Sequence, residues 1–261
     1  MIDLTVALLR DRRGRMGQPD RQNRWTSVSS YGESMIKKNF DWNAINGLEK
    51  YYYSERLVLR PLLECDVYPM FMATTDSAFN RYLLWDAPTS VEQLSGRIDG
   101  ILDERRKGRM GVWVAAEITT GAFVALFRAY AIDSPPEADE LHVETGIWLH
   151  PNYWMGGLSV EVSSMCLDLI FGETPTEVLI AQTHVDNKPS QGLFRVMGLE
   201  RVRHVEVFHE NGALVPAYYY QIKRSNYKIK GFVKERYMDI EVTKQALTKK
   251  SKEDLYLLNS N

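Results

Sequence analysis

The chain has 261 residues, 44% apolar and 25% charged, so it can bury a substantial core, and a disordered or fibrous protein is excluded. Its 2 cysteines, Cys65 and Cys166, are too few and too widely spaced for a disulfide framework, which favours a reducing, cytoplasmic location. No apolar run approaches the ~20 residues of a membrane span, and the first residues lack the positive charge of a signal peptide. We therefore expect no membrane partner.

The net charge of -2 conceals an acidic middle between two basic ends. Residues 1–50 carry 9 Lys/Arg against 6 Asp/Glu, and residues 228–261 carry 8 against 5. Residues 51–227 carry the remaining 15 against 23, a net charge of -8. An acidic body favours a cationic substrate and makes nucleic acid an unlikely main ligand, because phosphates need a concentrated basic face. RNA binding by residues 10–24 is a minor alternative to a solvated basic arm.

Changes in composition divide the chain into three parts. Residues 1–50 form a basic N-terminal extension, 51–227 a folded domain, and 228–261 a basic, partly helical C-terminal tail. The stretch 10–34 is rich in polar residues and has no sustained apolar period, so we expect it to dock loosely or to remain mobile. If an arm is structural, it could be exchanged between the subunits of a homodimer.

Apolar periodicity after Tyr51 predicts alternating strands and helices, which is typical of a mixed α/β layer fold. Two strands are joined at 119–121 by a short Gly-containing segment that predicts a hairpin. In chain order the predicted elements are a strand at 57–60; helices at 67–73, 76–84 and 91–107; strands at 111–118, 122–132 and 141–149; a helix at 158–171; a strand at 178–183; a helix at 188–197; and strands at 202–208 and 217–222.

The segment 144–159 leads from a strand through a loop rich in Pro and Gly directly into a helix. Backbone N–H groups at a helix start are unpaired and lie at the positive end of the helix dipole, so such a loop suits a phosphate. An ordinary strand-to-helix turn, with glycines required by backbone angle, explains this segment alone equally well.

Three segments taken together resemble the GNAT acetyltransferase superfamily, and within it the RimJ/RimL-type N-acetyltransferases. They are SERLVLRP at 54–61, ETGIWLHPNYWMGGLS at 144–159, and NKPSQGLFRVMGLE at 187–200. The group's strand typically reads Glu-Ile-Gly-Tyr-Trp-Leu, followed by a Pro-x-Tyr-Trp-Gly-x-Gly loop and an Asn-x-x-Ser helix that ends in Gly-Phe. The resemblance covers roughly residues 51–227 and implies the GNAT fold, a central mixed, mostly antiparallel twisted sheet flanked by helices.

The resemblance also implies an activity, which is direct transfer of an acetyl group from acetyl-CoA to a primary amine, with no metal. Glu144 would take the proton of the amine, and Ser190 would hydrogen-bond the departing thiolate. The cofactor-binding residues it implies are Leu149, Met155, Gly156, Gly157, Leu158, Ser159 and Asn187. The acceptor is either a peptide, at a protein N-terminus, or a small molecule such as an antibiotic, amino acid or polyamine. The five histidines have no metal-ligand spacing.

The sequence departs from the family pattern at two positions that bear on activity. Phe194 occupies the position where many members carry a proton-donating tyrosine, and Met155 replaces a loop glycine. With Met155 there, either its backbone angle is ordinary or Gly156 takes the special conformation. These departures motivate an alternative function, a catalytically weakened CoA-binding regulatory or scaffold protein. Structural roles also stay open: Glu144 could form a surface salt bridge, and Asn187 and Ser190 could stabilise a helix start.

Overall fold

A computed structural model describes residues 40–45, 50–132, 140–231 and 234–235, the last pair by its backbone alone. Its helices, in chain order, are α1 (Val67–Thr74), α2 (Ser77–Asn80), α3 (Val91–Arg106), α4 (Leu158–Glu173) and α5 (Lys188–Val196). Its strands are β1 (Tyr52–Tyr53), β2 (Leu57–Arg60), β3 (Met110–Glu117), β4 (Phe123–Ile132), β5 (Leu141–Leu149), β6 (Thr176–His184), β7 (Glu200–Phe208), β8 (Leu214–Lys223) and β9 (Lys234–Glu235).

The nine strands of the described residues form one sheet in the order β7-β8-β6-β5-β4-β3-β2-β1-β9. Strands β5 and β6 run parallel, and the other neighbouring pairs run antiparallel. The parallel pair needs a crossover connection, and helix α4 supplies it. The predicted mixed, mostly antiparallel sheet with flanking helices is therefore confirmed.

The helices cover the sheet from both sides. Because side chains alternate along each strand, one face packs against α4 and α5 and the other against α1, α2 and α3. Helix α4 is buried continuously from Glu161 to Phe171 and includes Cys166, which was predicted to be a core residue. None of the described helices is long and apolar enough to cross a bilayer.

Most predicted elements are present within a few residues of their expected bounds, including the hairpin between β3 and β4. The exception is the helix predicted at 76–84, which is reduced to α2. The Asp76 carboxylate caps this helix by accepting from the backbone N–H of Ala78 at 2.7 Å. After one turn, the Asn80 side chain bonds the Thr74 carbonyl, and the chain turns to place Leu83 and Trp85 in the core. Packing against the sheet thus ends the helix early.

The folded unit extends beyond the boundaries expected from composition. Trp42 and Ile45 lie inside the segment assigned to the N-terminal extension, yet both are buried. The Trp42 backbone N–H donates to the Gly108 carbonyl at 3.1 Å, and its ring meets Trp113 edge-on at 6.3 Å. Trp42 and Ile45 are isolated apolar residues in a polar stretch, so no hydrophobic periodicity in the sequence predicts that they pack against the domain.

The beginning of the C-terminal tail also contacts the domain. The Asp168 carboxylate on α4 accepts from the Tyr227 hydroxyl at 2.7 Å and from the Lys230 backbone N–H at 3.0 Å. Strand β9 then pairs with β1. The basic arm at 10–24, with its minor alternative of RNA binding, and the rest of the tail predicted to be partly helical lie outside the described residues.

Replacing Trp42 tests whether residues 40–45 belong to the folded unit. Because its side chain is fully buried among aromatic rings, Trp42→Ala should lower the free energy of unfolding by about 3–5 kcal/mol. Trp42→Phe, which keeps an aromatic ring, should cost much less. Denaturant unfolding of the full chain measures both variants, and an unchanged midpoint in Trp42→Ala would contradict this packing.

Candidate active site

The two parallel strands at the centre of the sheet separate halfway along their length. The register of β5 with β6 runs from Leu141 opposite Thr176 to Glu144 opposite Ile180 and ends there. Both strands continue, β5 to Leu149 and β6 to His184. Their carboxyl ends therefore border an opening within the sheet, a position where α/β proteins commonly bind ligands.

Several buried polar atoms near this opening have no hydrogen-bond partner among the described residues. They include Glu144 Oε2 on β5, Gln182 Oε1 and Thr183 Oγ1 at the end of β6, and Asn187 Nδ2 just beyond it, on residues at most 3% exposed. Leaving a buried polar group without a partner costs about 1–3 kcal/mol. Such atoms at the opening are available to a bound molecule that can supply the missing hydrogen bonds.

Glu144 lies on β5 where the pairing with β6 ends, and its side chain is only 1% exposed. It shares the face of Trp148, which packs with α1, α2 and α3. Gln182 Nε2 donates to Glu144 Oε1 at 3.2 Å. Burial raises the pKa of Glu144 to about 8, against the opposing effects of hydrogen bonds from Tyr130 and Gln182 and of the Arg128 charge. The surface salt-bridge interpretation of Glu144 is therefore wrong.

The loop after β5 has an open backbone surface at its end. Gly156 and Gly157 adopt φ of 80° and 78°, while Met155 keeps an ordinary backbone angle and is 85% exposed. Gly156 thus adopts the left-handed backbone conformation in place of the residue before it, which is one of the two alternatives that the sequence left open. A Cβ atom at either glycine would meet nothing within 4 Å. Gly157 then begins α4, whose first N–H groups at Leu158 and Ser159 face the same end of the sheet.

Two side chains, Trp154 and Arg56, hold this loop in place. The Trp154 indole donates to the Leu149 carbonyl at 2.9 Å, which ties the loop to the end of β5. Arg56, at the start of β2, donates from Nε to Glu161 Oε2 on α4 at 2.7 Å and from Nη1 to the Gly156 carbonyl at 3.3 Å. The Arg56 guanidinium is half exposed beside the loop, so it places a cation where an anionic ligand would approach.

Helix α5 begins at the end of β6. The Asn187 side chain accepts from the Ser190 backbone N–H at 3.3 Å, so its predicted N-cap role is confirmed, while its Nδ2 atom stays available. Ser190 is fully buried in the first turn. The Phe194 ring packs edge-on against Tyr220 at 4.9 Å. Helix α5 covers the face of the sheet opposite Glu144, so Glu144 and Ser190 belong to elements on different sides of the sheet.

The predicted site residues come from the carboxyl half of β5 and from the segments that follow β5 and β6. Glu144 and Leu149 come from β5, residues 155–159 from the loop and start of α4, and Asn187 and Ser190 from α5. Sequence reasoning missed Arg56, Gln182 and Thr183. Two consecutive polar residues at the end of an apolar strand were the available signal for Gln182 and Thr183. Within the described ranges, no three His, Cys, Asp or Glu side chains are grouped where they could hold a metal ion.

Comparison with known proteins identifies the family. A family model described as "Acetyltransferase (GNAT) domain" matches residues 56–200, which is more than half of the chain. The chain therefore belongs to the GNAT acetyltransferases, and its structural neighbours include the RimJ group that the sequence resembles. A search of curated proteins gives no match.

Several solved structures share the fold at low sequence identity. Mycobacterium smegmatis RimJ in complex with CoA-disulfide has a TM-score of 0.58 at 16% identity, over 68% of this chain and 88% of that protein. Spermidine N-acetyltransferase from Vibrio cholerae, with CoA and spermine, has a TM-score of 0.54 at 18% identity, over 66% and 97%. A GNAT-family acetyltransferase from Bacillus anthracis has a TM-score of 0.54 at 20% identity, over 67% of this chain and 99% of that protein.

The raised pKa of Glu144 predicts how stability depends on pH. A carboxyl group that titrates near 8 when folded and near 4.5 when unfolded binds an extra proton in the folded state between these values. The contribution of Glu144 to the free energy of unfolding is therefore fully present below the pKa of the unfolded state. It is lost as the pH rises through the pKa of the folded state. Relative to Glu144→Gln, the wild-type free energy of unfolding should fall by up to about 1.4 kcal/mol per pH unit from pH 5 to 8. Parallel stability curves for the two proteins would refute the shift.

Proposed function

We propose that this protein is an N-acetyltransferase that transfers the acetyl group of acetyl-CoA directly to a primary amine in a ternary complex. The observation that carries the proposal is the separation of β5 from β6, with a glycine loop and helix start at one side and a buried carboxyl group at the other. Membership of the GNAT acetyltransferases and the CoA bound in two structural neighbours support acetyl-CoA as the cosubstrate.

The residues around the opening fit this cosubstrate. Gly156 and Gly157 leave room for a pyrophosphate, and the backbone N–H groups of Leu158 and Ser159 at the start of α4 would hydrogen-bond it. Leu149 and Met155 flank this position along the chain. Asn187 Nδ2 and Thr183 Oγ1 are buried donors with no partner in the described part of the chain, and they suit the amide and carbonyl groups of a pantetheine arm.

The two proposed catalytic residues divide the proton chemistry between the faces of the sheet. Acetyl-CoA supplies the thioester carbon that an amine nitrogen attacks, and its sulfur leaves as a thiolate. Glu144 receives the proton of the amine, for which it must be ionised. Ser190, at the start of α5, donates a hydrogen bond to the thiolate, because Phe194 has no proton to give.

The proposed acceptor is a primary amine that carries positive charge when protonated. The acidic body of the chain favours a cationic amine, either a small molecule or the N-terminus of a peptide. The structural neighbour with bound spermine is a polyamine enzyme, whereas RimJ-type enzymes suggest a peptide. A cytoplasmic location is part of the same proposal, since Cys65 and Cys166 are free thiols.

A mass-spectrometric screen tests this function. Purified protein is incubated with acetyl-CoA and N-terminal peptides, amino acids, polyamines or aminoglycosides, and the expected result is a mass gain of one acetyl group on one acceptor class. Phe194 favours a second candidate function, a regulatory protein that binds CoA without turnover. Tight acetyl-CoA binding with no mass gain in any class would support that alternative.

Gly157→Ala tests the placement of the pyrophosphate. A φ of 78° is unfavourable for alanine by roughly 1–2 kcal/mol, so the loop should shift and the Kd for acetyl-CoA should rise about tenfold. Gly172→Ala, in the last turn of the same helix, has ordinary backbone angles and open space and serves as the matched control. Calorimetry that gives equal affinity for wild type and Gly157→Ala would place the pyrophosphate elsewhere.

Substitutions of Glu144 and Ser190 test the division of proton chemistry. Wild-type turnover should rise with pH and level off above about 8, and Glu144→Gln should lack this inflection while binding acetyl-CoA normally. Ser190→Ala should lower turnover by at most ~10²–10⁴-fold, and by less if a water replaces the hydroxyl. Ser225→Ala, at an exposed position, is the control. Wild-type turnover in Ser190→Ala would eliminate the role of the serine, and an unchanged pH profile in Glu144→Gln would remove it as the base.

A further inference from the structure

The amide of Gln182 is held in one orientation beside Glu144. Its Nε2 donates to Glu144 Oε1 at 3.2 Å, and the side chain is 2% exposed. In the ionised state in which Glu144 acts as a base, both of its carboxylate oxygens accept hydrogen bonds, so the NH₂ end of the amide faces Glu144. The carbonyl end consequently points away from Glu144, and Oε1 has no hydrogen-bond partner among the described residues. A buried carbonyl oxygen of this kind requires a donor.

A narrow cleft leads from the surface to Gln182. Tyr82 and Leu84, in the segment after α2, form one wall, and the apolar side chains of Val207, Val215 and Ala217 on β7 and β8 form the opposite wall. The Tyr82 ring stacks on His184 at 5.1 Å, and its hydroxyl donates to the Asp186 carbonyl at 3.1 Å, which fixes the rim. The apolar walls of the cleft belong to the face of the sheet opposite α5, and Gln182 is the lining residue that contacts Glu144.

We propose that Gln182 is a further catalytic residue, which holds the acceptor amine by accepting one of its N–H groups at Oε1 while the amine faces Glu144. This inference rests on the proposed acetyl transfer. An attacking amine must direct its lone pair towards the thioester, so its N–H groups need acceptors on the other side. Gln182 lines the cleft, and its Oε1 and the neighbouring Glu144 carboxylate are adjacent acceptors that can hold two N–H groups of one nitrogen.

The second effect of Gln182 is on the proton affinity of Glu144. The hydrogen bond from Gln182 lowers the pKa of Glu144 against the effect of burial. The other charged or titratable groups around Glu144 are Arg128 and Tyr130 on β4, His184 on β6, Tyr219 on β8, and Arg97 on α3 behind Trp85. Burial raises the pKa of Tyr219 to about 12 and lowers that of His184. Neither is expected to titrate near pH 8 and obscure Glu144.

Two substitutions separate these effects. Gln182→Met removes both the donor and the acceptor, so the KM of the acceptor should rise roughly tenfold and the midpoint of the pH–rate profile should move upward. Gln182→Glu keeps an acceptor oxygen and loses the donor, so KM should not rise, while a second carboxylate moves the midpoint further upward. The probe is whichever of a seryl peptide, lysine or spermidine gives the largest mass gain with the full-length wild-type protein.

Gln221→Met, on the neighbouring strand β8, is the matched control, because Gln221 makes no contact with Glu144 in the described hydrogen bonds and lies opposite Ile180. Its KM and pH profile should equal those of wild type. Calorimetry with acetyl-CoA verifies that each variant is folded and binds the cosubstrate.

Wild-type values of KM and of the pH midpoint in Gln182→Met would overturn the role of Gln182. If Gln182→Met fails to fold, an unshifted midpoint in Gln182→Glu would do so. Absence of turnover in the wild-type protein would instead contradict the proposed acetyl transfer.

Discussion

The separation of two parallel strands is the constraint on which the rest of this site depends. Strands β5 and β6 pair over only a few residues at their amino ends, and their carboxyl ends then diverge inside a continuous sheet. Each remains anchored on its outer side, β5 by β4 and β6 by β8, so the divergence is rigid. A flexible gap would have to be ordered each time a ligand bound, whereas this one is already formed, which reduces the entropy cost of binding.

The sheet also separates two chemical environments. On the face of α4 and α5, the glycine loop, the helix starts and Arg56 offer N–H groups and a cation, which suit an anionic ligand. On the face of α1, α2 and α3, the surroundings of Glu144 are aromatic, with Trp85 stacked on Trp148 at 4.9 Å. A buried carboxyl group there retains its proton up to higher pH than a surface carboxylate, because the low-dielectric surroundings disfavour its charge.

The local patterns of the sequence predicted the elements around the opening better than they predicted the limits of the fold. Periodicity predicted β5 and α4, and the glycines indicated an open helix start at Gly157, whereas Ser190 was named only through the resemblance to RimJ/RimL-type enzymes. Gln182 could not be recognised, because its importance depends on the register between β6 and β5 and on a contact with Glu144 that no local pattern encodes. Trp42 was missed for the same reason, since a single docking residue has no period.

The pairing of β9 with β1 has a consequence for the behaviour of the protein at high concentration. A strand edge presents unpaired N–H and C=O groups that can recruit another chain, and β1 contributes two tyrosines to this end of the sheet. Strand β9 occupies that edge with backbone from the start of the C-terminal tail. At the opposite end, β7 carries Arg201 and Arg203, whose charges discourage strand addition. Strand β9 thus shields the edge of β1, and a protein shortened before residue 234 would expose that edge to the addition of a strand from another chain.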